Sequence, residues 1–148
     1  MTLSNIENAS RLFSLYCWYY DSNDIEGIGS IFAQEIQVDY GPEFPTVTSR
    51  DELLEKVADA NATRFLTTSH HVSNVIVVQE SETSLTAKCY LYAWHQYRDG
   101  SPDGELWGRY HAEFIQENSQ WKFQALRLRA AGTVDFHRSK MYPIERIP

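Results

Sequence analysis

Residues 85–98 read LTAKCYLYAWHQYR, and their alternation decides the fold. Successive side chains of a strand point to opposite faces. Leu85, Ala87, Cys89, Leu91, Ala93 and His95 therefore share one face, which is apolar until its last member. Thr86, Lys88, Tyr90, Tyr92, Trp94 and Gln96 share the other. Strands flank this segment on both sides. Thr67 to Gln79 is β-branched and long, Glu105 to Gln116 follows a polar loop at residues 99–104, and Gln120 to Arg129 follows a turn at Asn118-Ser119.

The chain before these strands has a different period. Ile6, Ala9, Leu12, Phe13 and Tyr16 recur at spacings of three and four, continuing to Cys17, Tyr19 and Tyr20. Asp21-Ser22-Asn23-Asp24 is a turn cluster, and Ile25, Ile28, Ile31 and Phe32 mark a short second helix. Gln37 to Tyr40 alternates as a short strand closed by Gly41-Pro42. Ser49 and Glu52 have capping-box spacing before a third helix whose stripe is Leu53, Leu54 and Val57. Helices followed by a run of antiparallel strands predict an α+β fold. The expectation is one domain over residues 1–148, a cone in which a curved, antiparallel-rich sheet wraps three N-terminal helices. Its open end would hold a small-molecule pocket.

Composition narrows the function. A chain of 148 residues with 43% apolar side chains can bury a sizeable core. Its net charge of −7, with no basic stripe, argues against nucleic acid. Cys17 and Cys89 lie in apolar segments and read as buried, reduced thiols. Residues 1–11 lack the pattern of a secretory signal, and no stretch approaches the roughly 18 apolar residues of a membrane span. The reading is a soluble cytoplasmic protein that binds neither nucleic acid nor membrane. The outward aromatics Tyr90, Tyr92 and Trp94 predict a homo-oligomer. Trp107 and Trp121 read as packing, and Arg127 and Arg129 as surface or interface ion pairs.

Chemistry-bearing residues concentrate at three places. Tyr20 and Asp21 end the first helix, His70 and His71 open the first long strand, and His95 ends the apolar face of the next. A carboxylate and imidazoles can move protons near neutral pH without metal or cofactor. Tyr40 adds a phenol that can polarise a carbonyl. Alternation leaves open whether His70 or His71 faces inward.

Tyr20-Asp21-Ser22, Val38-Asp39-Tyr40, Thr68-Ser69-His70, His95-Gln96-Tyr97-Arg98-Asp99 and Trp121-Lys122-Phe123 occur in the order and at spacings that resemble scytalone dehydratase. Val134-Asp135-Phe136 extends the match, which covers roughly residues 5 to 140. The wider resemblance is to the nuclear transport factor 2-like and SnoaL-like superfamily, whose fold is also called cystatin-like. That superfamily includes ketosteroid isomerases, polyketide cyclases and a dehydrochlorinase. The resemblance implies a cofactor-independent hydro-lyase, often trimeric, that removes water from a small cyclic hydroxyketone. Tyr20 and Tyr40 would polarise the substrate carbonyl, Asp21 would orient His95, and His70 would be the other catalytic imidazole. These five side chains are expected to line one apolar cavity, with Asp21 bonded to His95 and no metal. The family's serine and asparagine on the third strand have no counterpart in Trp107 to Glu113, so the pocket wall differs. An isomerase-like or cyclase-like enzyme, or a ligand-binding module without catalysis, are the alternatives on the same fold.

Overall fold

A computed structural model describes residues 3–148. Helix α1 (Asn5–Asp21) begins with a reciprocal capping box, Ser4 accepting from the Glu7 backbone while the Glu7 carboxylate takes the Ser4 N–H. It buries Ala9, Leu12, Phe13, Tyr16 and Cys17. Helix α2 (Ile25–Ile31) is capped by Asp24, whose carboxylate accepts from Gly27 N at 2.8 Å. Strand β1 (Phe32–Asp39) leads to the short β2 (Val47–Ser49), which sequence periodicity missed because three residues carry no pattern. Helix α3 (Arg50–Thr63) starts where expected, with Ser49 accepting from Glu52 N at 3.2 Å.

Four long strands follow: β3 (Phe65–Glu80), β4 (Ser84–Tyr97), β5 (Gly104–Glu117) and β6 (Gln120–Val134). The sheet order is β2-β1-β6-β5-β4-β3, antiparallel except for β1 beside β6. Pairing shifts register in β3 between Ser73 and Ile76, where Asn74 takes φ 56°, and in β6, where Ala125 and Phe123 face the consecutive Glu113 and Phe114 and Gln124 is the extra residue. Such bulges bend strands, and they help curl the sheet around the helices. Phe13 of α1 packs edge-on against Phe114 and Phe123 inside the curl. The fold is thus the expected α+β arrangement of three helices and a curved, open six-stranded sheet.

The alternation of β4 is realised. Leu85, Ala87, Cys89, Leu91, Ala93 and His95 are all buried. The outer face carries Tyr90, exposed beneath the Arg109 guanidinium, and Tyr92, which donates to Glu105. Trp107 is a correction: it stands on the same outer face, 43% exposed, rather than in the packing. Arg127 and Arg129 pair with Glu113 at 3.4 Å and Asp39 at 3.1 Å. Cys17 and Cys89 are buried free thiols. Burial pushes both thiols up, Cys89 to about 12. No helix among the described residues is long and apolar enough to cross a membrane.

Strand β6 runs five residues past the expected Arg129. Asp135 then takes φ 47°, and the chain returns to pair with Ala130 through Tyr142 and Ile144. The returning segment is held at several points. Tyr97 Oη donates to Asp135 O at 3.1 Å, and Glu43 accepts from the backbone of Ser139 at 3.0 Å and Lys140 at 2.9 Å. A side chain at Gly104 would strike the Tyr97 hydroxyl, so glycine lets that anchor form. The segment Phe136–Arg138 therefore closes one wall of the cavity described next.

Candidate active site

The curl encloses a cavity of about 350 Å³. Tyr20, Tyr40, His70 and His95 all line it, joined by Tyr110 and Leu128 from the sheet and Phe136, His137 and Arg138 from the returning segment. The size falls in the range of small-molecule sites.

Asp21 is placed differently from expectation. It does not bond His95 and does not line this cavity. It stands behind His70. Asp21 Oδ1 lies 2.6 Å from His70 Nδ1, and Oδ2 accepts the His70 backbone N–H at 2.8 Å. Thr68 Oγ1 donates to Oδ1 at 2.8 Å. The reason is register. Asp21, at the end of α1, meets the start of β3, whereas His95 lies one strand further in, opposite Thr68. The same register answers the His70 or His71 question. His70 turns inward, its side chain 8% exposed, while His71 faces out and meets Ser69 Oγ at 2.8 Å.

The pair has a defined polarity. A carboxylate only accepts, so His70 Nδ1 carries the proton that Asp21 binds. That leaves Nε2 as the basic nitrogen available to the cavity. The Tyr20 ring lies 4.9 Å from the His70 ring and the His95 ring 5.4 Å from it, nearly perpendicular.

The phenols are kept protonated. Burial and the neighbouring Tyr40 hold Tyr20 well above the usual phenol range. Burial pushes Tyr40 up to about 12. Tyr16, buried behind them, contacts the Tyr40 hydroxyl oxygen. Either hydroxyl can donate in this contact, and with Tyr16 as donor the Tyr40 proton is left for a ligand. In that arrangement Tyr20 and Tyr40 present two hydroxyl donors toward one cavity.

His95 is a neutral group. Burial first, then the nearby His70 and Arg138, lower it to about 3. Its Nδ1 is buried without a partner. His137 is lowered to about 2, again chiefly by burial and then by Arg138. Below about pH 6.5 the unfolded chain binds protons that these folded imidazoles refuse. Stability is therefore full above pH 6.5 and falls as pH drops towards the folded value near 3. Each such imidazole contributes a slope of about 1.4 kcal/mol per pH unit within that window. Urea unfolding between pH 4 and 6.5 should show a shallower loss of stability in His95→Gln than in the parent. Parallel pH curves would contradict the buried neutral state.

Tyr16, Tyr110, His137 and Arg138 also line the cavity, and nothing in the sequence pattern assigned them to it. Tyr16 follows the buried stripe of α1 and looks like core. Tyr110 lies in the altered stretch Trp107 to Glu113, and it faces inward while Arg109 faces out. His137 and Arg138 lie in a segment with no period, and their only signal is the neighbouring Phe136. Among the described residues no group of three His, Cys, Asp or Glu side chains is placed to hold a metal ion.

The sequence matches the model of the SnoaL-like domain over residues 1–127. The chain belongs to the SnoaL-like domain family. Within the nuclear transport factor 2-like superfamily that holds this family, several solved structures superpose on it. One is a Novosphingobium aromaticivorans protein provisionally assigned as a scytalone dehydratase. It is 31% identical, with 97% of this chain and 95% of that chain covered and a TM-score of 0.88. A hexachlorocyclohexane dehydrochlorinase from Novosphingobium barchaimii shares the fold at 15% identity, covering 96% and 93% of the two chains with a TM-score of 0.78. A Streptomyces avermitilis protein of the nuclear transport factor 2-like family, provisionally a dehydratase, shares it at 15% identity, covering 84% and 94% with a TM-score of 0.71. Comparison with curated proteins finds no match.

Proposed function

We propose that this SnoaL-like protein is a cofactor-independent lyase that removes water from a small cyclic hydroxyketone. The observation that carries the reading is the Asp21–His70 pair, closed at 2.6 Å, beside two protonated phenols in one apolar cavity. Its resemblance to a provisional scytalone dehydratase supports the same reaction class.

The steps balance without a further reagent. His70 Nε2 takes the α-proton of a β-hydroxyketone, and the resulting imidazolium is stabilised by Asp21. The electron pair of the broken C–H bond moves onto the carbonyl oxygen. Tyr20 and Tyr40 donate to that enolate oxygen, where developing charge strengthens their bonds. The enolate collapses, the β-carbon–oxygen bond breaks, and His70 returns its proton to the departing hydroxide as water. His95 stays neutral through the cycle. It packs against the His70 ring and offers a hydrogen bond rather than a charge. Isotope-resolved product analysis on cyclic β-hydroxyketones tests the reaction. Loss of one water is expected. Conversion without loss of mass would replace this reading with isomerisation, and binding without conversion would leave a ligand-binding module.

We also propose that the uncovered outer face around Tyr90, Tyr92 and Trp107 joins copies of the chain. A monomer by light scattering at micromolar concentration would overturn that.

A further inference from the structure

Arg138 is a half-buried cation in the cavity wall with no carboxylate in contact among the described residues. Its side chain stands over the rings of Phe44, Tyr40 and Phe136 at 5.1, 5.5 and 5.7 Å. Its guanidinium donates to two neutral acceptors, the Tyr40 backbone carbonyl and, from Nε, His137 Nε2 at 3.2 Å. Among the described residues no carboxylate lies within 4 Å of it, and Nη2 makes no hydrogen bond.

That isolation does not reflect a shortage of acids. The chain carries 20 Asp and Glu against 13 Lys and Arg. Arg127 and Arg129, on the adjoining strand, each have a carboxylate partner. Glu43, the acid of the neighbouring loop, accepts its hydrogen bonds from Ser139 and Lys140; those bonds, with a smaller effect of Arg138, hold its carboxyl below the usual range, but it makes no contact with Arg138. Arg64, also lining the cavity, faces only the rings of Phe44 and Phe65 at 5.9 and 5.8 Å. Glu55 and Asp59 stand on the α3 side of the lining, and neither comes within 4 Å of an arginine.

A half-buried cation held only by neutral acceptors still carries a desolvation cost, and an opposite charge within hydrogen-bond reach relieves it. A guanidinium presents its N–H groups in a planar fork that matches a carboxylate. We propose that the substrate is an acid, a one- or two-ring carbon skeleton whose carboxylate pairs with Arg138 on the Tyr40 side of the cavity. The proposal rests on the cavity being the substrate site, and it names the substrate class within the reaction described above.

Equilibrium binding of 1-naphthoate and its neutral isostere 1-naphthamide tests the proposal without any turnover. The parent protein should bind naphthoate about tenfold or more tighter than the amide, the scale of a charge-assisted hydrogen bond. Arg138→Met should erase the preference and Arg138→Lys should keep part of it. Naphthoate affinity should fall with added salt while naphthamide affinity holds, which serves as the deciding measurement if Arg138→Met does not fold. The preference should persist in His70→Ala, so failure of the elimination chemistry would leave it standing. Equal affinities, no binding of naphthoate, salt-independent naphthoate affinity, or a full preference in folded Arg138→Met would each overturn the proposal.

Discussion

His70→Ala should lower turnover of a cyclic β-hydroxyketone by about a hundredfold or more, the usual scale for a lost acid–base group. The loss should appear in kcat, with KM changed little. The imidazole acts on the proton in flight, whereas the cavity walls and phenols that bind the ketone remain. Truncation also frees Asp21 Oδ1 from its 2.6 Å contact, although Thr68 Oγ1 and the His70 backbone N–H still satisfy the carboxylate. The variant should therefore fold. His70→Gln, which fills the space without a basic nitrogen, should be as inactive as the alanine form. Full activity in either would reject His70 as the base. A chelator should leave the parent protein's rate unchanged, since no step in the cycle uses a metal.

Asp21→Asn should cost about a hundredfold to ten-thousandfold in kcat, for a different reason. An amide can donate to His70 Nδ1 as well as accept from it. Donation would move the imidazole proton to Nε2 and block the basic lone pair, as in other carboxylate–histidine pairs. The imidazolium would also lose its counter-charge. This variant should in addition lose about 1–3 kcal/mol of stability, because an amide nitrogen cannot accept one of the three donors that now converge on Asp21. Activity and unfolding free energy together distinguish the two roles. A purely structural Asp21 would lower stability and leave kcat per folded molecule intact.

The expectation that Asp21 holds His95 failed for an instructive reason. Alternation identifies a face but does not align one strand with another. His95 was correctly read as the inward end of an apolar wall, and its burial agrees. What faces it depends on the pairing of Thr68 with His95 and of His70 with Ala93. That register brings His70 rather than His95 to the end of α1. The ending of β6 went astray similarly. Ala130, Ala131 and Gly132 have little strand propensity of their own, and pairing with β5 carries the strand through them to the β-branched Thr133 and Val134.

The residues alone were enough for the α+β class, the three helices, the Ser49 cap of α3 and the inner face of β4, and the family resemblance added the cavity side chains Tyr20, Tyr40, His70 and His95. These follow from period, capping chemistry and family resemblance, all of which are local or ordered along the chain. The folded chain was needed to show that Asp21 pairs with His70, that Tyr16 contacts Tyr40, and that Arg138 lines the cavity with no carboxylate partner among the described residues. Each depends on residues far apart in sequence, 49 positions for Asp21 and His70 and 98 for Tyr40 and Arg138. Such contacts arise from strand register and from the return of the chain after Asp135. Neither leaves a periodic trace in the residues themselves.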